Sequence, residues 1–289
     1  MSGNVDTSGC YLCESVDFTL RKGAVRDSPE MKIYECESCG LVSLRQSDHI
    51  STDFYENSGM HGTAMPSIEE WLKETEWDDQ RRYMMLKSAI TNKEILDFGC
   101  GAGGFLKKAE QVAKKVTGIE LESRVQEYWD GTFSIVPDID SMRSKFDVIT
   151  AFHVVEHLKD PRDMLRNLAG KLSPGGRLIV EVPSGEDALL TLFDCDAFQH
   201  FTYWSQHLFL FSAHTLAMLA RQAGLNVVSI NHYQRYPLSN HLHWLSNGKP
   251  GGHQRWSFLD TPELNEAYAR ALASIGKTDT LIAHFQQEE

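Results

Sequence analysis

The sequence predicts an α/β fold, in which a doubly wound sheet follows a small cysteine-rich N-terminal module. Three observations support this prediction. Four cysteines form two Cys-x2-Cys pairs within the first 46 residues, a glycine-rich turn follows an apolar run at 94–98, and short apolar runs then alternate with helical stretches. Alternation of this kind is typical of βαβ units and therefore of parallel strands.

Length and charge limit the broad class of protein. A chain of 289 residues, 42% apolar and 24% charged, suits one large globular domain with an appendage. The formal net charge of −12 argues against a broad phosphate-binding surface, so we expect no nucleic-acid partner. The N-terminus lacks an apolar segment after a basic start, so we expect a cytoplasmic location. The uncharged stretch 197–220 contains too many polar side chains for a membrane span, and we interpret it as a pocket wall.

The cysteine pairs predict a zinc site. Cys10, Cys13, Cys36 and Cys39 have the spacing of a tetrahedral Zn²⁺ site with four thiolates. Such a closed site leaves no coordination position for water, so the metal is expected to fold the module and not to react. A disulfide pairing is the weaker alternative in a cytosolic chain.

The elements follow in chain order. Residues 66–90 show helical spacing of apolar side chains, with Pro66 and Ser67 at the start. The predicted strands are 94–98, 115–120, 133–136, 146–152 and 176–182. A helix begins at Ser212 and stops at Gly224, a strand follows at 225–230, and 261–284 is interpreted as helix. The expected units are the zinc module 1–46, a helical linker or cofactor lid 47–91, a cofactor-binding domain 92–235, and a substrate-side loop and helix 236–289.

The glycine loop predicts a nucleoside cofactor. The run DFGCGAGG (97–104) satisfies both the G-x-G-x-x-G spacing of dinucleotide sites and the G-x-G-x-G spacing of S-adenosylmethionine sites. Asp97 would lie awkwardly beside a pyrophosphate and suits an ammonium group better. Glu120 ends the next strand, where a carboxylate can accept both ribose hydroxyls of either cofactor. The loop alone therefore does not distinguish a dinucleotide from S-adenosylmethionine.

The runs FDVITAFHVVEHLKDP (146–161) and KLSPGGRLIVEVP (171–183) follow this loop in order. Over about residues 92–184 the chain closely resembles the class I S-adenosylmethionine-dependent methyltransferases, which implies a Rossmann-like sheet and that cofactor. The cofactor residues implied are Asp97, Gly99, Cys100, Gly101 and Gly103 for the methionine part, Glu120 and Leu121 for the ribose, Asp138 and Ile139 for the adenine, Phe152 and His153 beside the sulfonium, and Tyr55 over the cofactor. His157 is interpreted as a packing residue.

The cysteine module and the run SQHLFLFS (205–212) are similar to the zinc-containing sugar methyltransferases, whose motif is His-Glu-His-x-x-Tyr-Phe-Ser. His207, Phe211 and Ser212 match that motif. The resemblance implies O-methylation of a sugar in a nucleotide-sugar or surface-polysaccharide precursor. A sugar hydroxyl is a poor nucleophile that needs a base, for which His207 is the first candidate, followed by His153 and His200.

Other functions stay open at this point. Sugar C-methylation comes second, and methylation of a non-sugar small molecule comes third because acceptor pockets vary most within this fold. A cofactor-binding docking module without turnover and an NAD dehydrogenase are the alternatives from other classes. A homodimer is also left open.

Overall fold

The computed structural model of the chain describes residues 9–46, 49–50 and 65–288. Its strands are β1 Phe18–Leu20, β2 Tyr34–Cys36, β3 Val42–Ser43, β4 Glu94–Phe98, β5 Lys115–Ile119, β6 Ser134–Val136, β7 Phe146–Phe152, β8 Leu172–Pro183, β9 Phe209–Leu210, β10 Leu225–Tyr233 and β11 Thr280–Gln287. Its α-helices are α1 Ile68–Ile90, α2 Gly104–Ala109, α3 Ser123–Tyr128, α4 Pro161–Gly170, α5 Ala188–Thr191, α6 Asp196–Thr202, α7 Ala213–Gln222, α8 Leu238–Asn247, α9 Gly252–Arg255 and α10 Pro262–Ser274. Within the described ranges, no helix is long and apolar enough to cross a membrane.

Seven strands form the central sheet, in the order β10-β11-β8-β7-β4-β5-β6. The five strands from β8 to β6 run parallel, while β11 lies antiparallel to both β8 and β10. The Rossmann-like α/β prediction is therefore confirmed, with a sheet that is mixed at one end. Leu96, Ile149 and Val180 from three adjacent parallel strands are fully buried, as expected for strands covered on both faces.

The C-terminal stretch differs from its prediction as helix over 261–284 with a possible break at Gly276. The helix α10 begins with Thr261 as its N-cap and ends at Ser274, and Gly276 then adopts a left-handed φ of +68°. Residues 280–287 instead form β11, inserted between β8 and β10. Leu281, Ala283 and Phe285 alternate along this strand and are fully buried. Pairing on both edges and burial of these side chains outweigh any local helical preference.

The cysteine module packs directly on the large domain. Its strands β1, β2 and β3 form a four-stranded sheet with β9, in which Val42 pairs with Leu210. The Gln222 side chain donates a hydrogen bond to the Leu12 carbonyl oxygen at 2.7 Å, and Cys36 shares a core with Phe211. The predicted domain boundaries stay a prediction, but the module's sheet is completed by a strand from the large domain.

Helix α1 lies across the sheet and is held there by charge. Its N-terminus carries a capping box between Ser67 and Glu70. Further along, Arg81 and Arg82 both donate hydrogen bonds to Glu181, which has no exposed surface on β8, at distances of 2.7 to 3.3 Å. A buried carboxylate is tolerated only when it is paired in this way, so the pairing fixes α1 over β8.

We expect Glu181→Ala to lower the free energy of unfolding by about 3–5 kcal/mol, because two largely buried arginines would lose the carboxylate that they share. Urea unfolding measures the loss. Lys114→Ala, which removes a mostly exposed partner of Glu94, is the control and should lower the free energy of unfolding far less. Equal losses in the two variants would contradict the proposed role of Glu181.

The same pairing predicts a pH dependence. Burial alone would raise the pKa of Glu181, but His153 and the arginines hold it well below its ordinary value. The contribution of the pair to stability is therefore present above the ordinary carboxyl pKa and is lost as pH falls through the folded-state value. Urea unfolding midpoints of the wild type and of Glu181→Ala, measured at a series of pH values, should therefore converge as the pH is lowered.

Candidate active site

The glycine loop lies where β4 ends and α2 begins. Gly99, Gly101 and Gly103 all have left-handed backbones, with φ of +69°, +52° and +82°. A Cβ on Gly103 would stand 2.6 Å from Nε1 of Trp129, whose indole N–H donates to the Ala102 carbonyl oxygen at 2.9 Å. Backbone angle and space therefore both require glycine at position 103.

Glu120 follows β5 directly and faces this loop. Its carboxylate accepts hydrogen bonds from the backbone N–H groups of Gly101 at 2.9 Å, Leu121 at 2.8 Å and Glu122 at 3.2 Å. Burial raises its pKa, although these amides oppose the shift. The carboxylate thus ties the glycine loop to the loop after β5, at the position that the resemblance implies for ribose recognition.

Asp97, at the end of β4, is a buried acid. It is 3% exposed, and the Thr150 hydroxyl donates a hydrogen bond to its Oδ1 at 2.7 Å. Burial raises the pKa of Asp97 to about 7. A carboxyl group in this state gains free energy when a cation approaches, which suits the ammonium or sulfonium of S-adenosylmethionine.

Helix α1 supplies a wall to the loop. The ring of Trp71 lies 3.2 Å from the point where a Cβ on Gly101 would stand, and the Arg124 guanidinium lies 5.6 Å from the centre of that ring. From the sequence, Trp71 was only one of the apolar positions that indicated a helix over 66–90, and that pattern could not show that its ring contacts the glycine loop.

The positions implied for the adenine differ in exposure. Asp138 is exposed and accepts a hydrogen bond from the Asp140 N–H at 2.9 Å, whereas Ile139 is 3% exposed and belongs to the main core. Cys100 is partly buried within the loop. Tyr55, predicted over the cofactor, lies outside the described residues.

His153 follows β7, beside Phe152, in a left-handed backbone with φ of +56°, which is unusual for a non-glycine residue. Its Nδ1 lies 3.1 Å from Glu156 Oε1 and its Nε2 lies 3.2 Å from Glu181 Oε1. Burial favours the neutral ring, but these two carboxylates raise the pKa of His153 above its ordinary value. These carboxylates favour the protonated ring, which has no lone pair left to accept a proton, and this argues against His153 as the base.

Glu156, His157 and His207 meet beside it, and we call these three residues the Glu156 cluster. Glu156 and His157 lie in a short 3-10 turn, Val155–His157, while His207 precedes β9. One oxygen or nitrogen atom from each lies within 4.8 Å of those from the others, and the two rings have centroids 4.8 Å apart. Burial, and then the charge of His157, lower the pKa of His207 to about 3.

His200, the third predicted base, lies elsewhere. It is on α6 with half of its side chain exposed, and its Nδ1 lies 2.8 Å from the Asp196 carbonyl oxygen of the same helix. No contact among the described residues brings it to the Glu156 cluster.

Sequence reasoning missed Glu181 and the part played by Glu156. A signal existed for each, because Glu181 interrupts the apolar run LIVEV and Glu156 stands beside a histidine just after a strand. His157 was predicted to be a packing residue. It is indeed buried, but one of its ring nitrogens is a member of the cluster.

The four predicted metal ligands come together in the N-terminal module. The Sγ atoms of Cys10 and Cys39 lie 3.5 Å apart, those of Cys13 and Cys36 lie 3.4 Å apart, and all four lie within 4.8 Å of one another. Tetrahedral zinc with Zn–S of about 2.3 Å separates its sulfurs by about 3.8 Å. A disulfide bond would hold two Sγ atoms about 2.05 Å apart. The four cysteines are instead free thiols. The set therefore suits zinc and not a disulfide pair.

We expect Gly103→Ala to destabilise the protein more than Gly131→Ala, although both glycines have φ near +80°. Nothing lies within 4 Å of a Cβ at Gly131, so that variant bears only the backbone cost of about 1 kcal/mol. The first variant must also displace Trp129. Urea unfolding followed by tryptophan fluorescence measures both, and equal losses would contradict the close packing at Gly103.

The chain is similar in sequence to known methyltransferases. A family profile described as a methyltransferase domain matches residues 69–230, more than half of the chain. The mitochondrial ubiquinone biosynthesis O-methyltransferase of Schizosaccharomyces pombe is 26% identical over 126 residues, which cover 39% of this chain and 46% of that protein. The tRNA U34 carboxymethyltransferase of Pseudoalteromonas atlantica is 27% identical over 134 residues, 42% of this chain and 40% of that protein. The match spans less than half the length of either relative.

Among solved structures, a chain from the complex between the Haloferax volcanii Trm112 methyltransferase activator and a methyltransferase has a TM-score of 0.51 and 15% identity. The match covers 78% of this chain and 100% of that one. At this level of identity the similarity shows the fold alone.

Proposed function

The chain belongs to the methyltransferase-domain family, as a class I S-adenosylmethionine-dependent methyltransferase, and we propose that it methylates an oxygen atom of a small-molecule acceptor. One observation supports this most. The glycine loop and the Glu156 cluster follow β4 and β7, which are adjacent parallel strands, so both lie at the same edge of the sheet. Ligands of open α/β sheets bind at this edge.

The cofactor side of this site is assigned from its acidic residues. We assign the methionine part to Asp97 and the glycine loop 99–103, including Cys100, the ribose to Glu120 and Leu121, and the adenine to the exposed Asp138 with Ile139 behind it. The bound nucleoside would replace backbone amides as the partner of the Glu120 carboxylate. Phe152 would line the sulfonium end, where its ring already stacks edge-on against Phe105 at 5.1 Å.

Methyl transfer requires the acceptor oxygen in line with the sulfonium methyl, and the protein contributes mainly positioning and exclusion of water. The Glu156 cluster is our choice for the acceptor side. Neutral His207 can accept a hydrogen bond from an acceptor hydroxyl. With a pKa of about 3, however, it is a weak base for such a group, so His207 acting alone is a poor general base.

For the acceptor we propose a sugar hydroxyl of a nucleotide-sugar or polysaccharide precursor. The support is residue resemblance: the four-cysteine module and the 205–212 run, which the fold joins through β3 and β9. The relatives described above are named for ubiquinone biosynthesis and for tRNA, so the sugar acceptor rests on that resemblance alone. One relative is a tRNA U34 carboxymethyltransferase. The net charge of −12 is therefore not sufficient to exclude a nucleic-acid partner.

We further propose structural zinc in the module, held by its four cysteines. Zinc binding would supply folding free energy that the small apolar core of this segment cannot provide. No reactive role follows from it.

Cobalt substitution tests this zinc assignment. We expect the cobalt-loaded protein to show a thiolate-to-metal charge-transfer band that Cys36→Ser weakens strongly. Cys195→Ser changes a buried cysteine outside the module and should keep the band. A band that is absent from the wild type would refute the assignment.

Calorimetric titration with S-adenosylhomocysteine tests the cofactor. We expect Glu120→Ala to raise the Kd at least about tenfold, because a hydrogen bond to a charged group contributes roughly 1.5–3 kcal/mol. Glu110→Ala changes an exposed acid at the end of α2 and serves as the control. Tighter binding of NAD, or equal affinities in both variants, would overturn the assignment. A methyl-release assay across nucleotide sugars and phenolic acceptors then separates an enzyme from a docking module.

A further inference from the structure

The Glu156 cluster contains a buried carboxylate oxygen that the described residues do not satisfy. Glu156 has no exposed surface, and its Oε1 lies 3.1 Å from Nδ1 of His153. Its Oε2 has no hydrogen-bond partner among the residues that the structure describes. A buried carboxylate oxygen left in this state is costly, and a bound cation removes the cost.

The hydrogen bond of His157 assigns its tautomer. Nδ1 of His157 lies 2.9 Å from the Gln206 carbonyl oxygen, which can only accept a hydrogen bond. The ring proton therefore lies on Nδ1 and the lone pair lies on Nε2, 4.0 Å from Glu156 Oε1. A backbone carbonyl that orients one ring nitrogen while the other binds metal is the usual outer-shell arrangement of histidine ligands.

His207 is the third member of the set. It is only partly buried, unlike Glu156 and His157, and its ring packs against Trp204 with centroids 5.4 Å apart. The ligand atoms lie within 4.8 Å of one another, so small side-chain movements bring them to metal–ligand distances of about 2.0–2.2 Å. Three protein ligands leave coordination positions for other oxygen atoms.

We propose that Glu156, His157 and His207 form a second metal site, which binds a divalent transition-metal ion such as Zn²⁺. The donor set of two imidazoles and one carboxylate suits Zn²⁺ and other first-row transition metals, whereas Mg²⁺ prefers oxygen ligands. The four cysteines form a separate site in the module and share no residue with this one.

The role of this ion rests on the proposed O-methyltransferase function. The acceptor hydroxyl coordinates the ion, which lowers its pKa, and its proton passes to water. The resulting alkoxide oxygen attacks the methyl carbon of S-adenosylmethionine, the carbon–oxygen bond forms, and the carbon–sulfur bond breaks with its electron pair on sulfur. The products are the methyl ether, S-adenosylhomocysteine and one proton. With its lone pair on the metal, His207 acts as a ligand, and the ion takes the place of His207 as the group that acts on the acceptor hydroxyl.

Metal stoichiometry tests the site without reference to turnover. The full-length protein, with zinc in the thiolate site, is dialysed against a mild chelator and then titrated with Co²⁺. We expect one equivalent of Co²⁺ to bind in the wild type, with a visible spectrum that lacks thiolate charge transfer. His207→Gln and His157→Gln should each weaken this binding at least tenfold. His214→Gln, which changes an exposed histidine on α7, should leave it unchanged.

Activity and cofactor binding separate the two proposals. Loss of methyl transfer on chelation, restored by Zn²⁺ or Co²⁺ in the wild type and not in His207→Gln, supports the metal role. Absence of Co²⁺ binding at the second site, or equal binding in His207→Gln and wild type, overturns it, whether or not S-adenosylhomocysteine binds. Retained Co²⁺ binding with no binding of S-adenosylhomocysteine would overturn the proposed function and leave the metal site standing.

Discussion

The site depends on the ion pairs that the buried carboxylate of Glu181 makes with its neighbours. A charge in the interior of a parallel sheet must be matched, and here its partners come from two different parts of the chain. Arg81 and Arg82 bring α1 across the sheet, while His153 reaches it from the end of β7. His153 in turn contacts Glu156. The position of α1, the left-handed turn at His153 and the orientation of Glu156 are therefore linked through one buried group.

The two sides of the site differ in charge. The proposed cofactor side holds the buried Asp97 and the partly buried Glu120, whose pKa values are raised by burial. The proposed acceptor side holds histidines around Glu156, whose pKa stays low despite burial because His153 donates a hydrogen bond to it. A cationic cofactor and a polar acceptor thus meet different surroundings a short distance apart. The overall charge of −12 does not show this local arrangement.

Much of the fold was predictable because its signals are local. Buried parallel strands are continuous apolar runs, and β4 and β7 have the predicted bounds. The glycine loop and the cysteine pairs are motifs that lie within short stretches. Strand β11 was missed because its conformation depends on pairing with β8 and β10, which lie far away in sequence. The Glu156 cluster was missed for the same reason: His207 meets Glu156 only through folding, and its spacing from His157 shows no pattern.

The pairing of β3 with β9 has a consequence for the growing chain on the ribosome. The cysteines are synthesised first, but the strand that completes their sheet follows only after most of the large domain. At about 5–20 residues per second the interval is on the order of ten seconds. During this time the outer edge of β3 has no partner from β9, and an unpaired strand edge invites association with other chains. Until β9 has been synthesised, this edge is therefore a place where the nascent chain can pair wrongly with another strand.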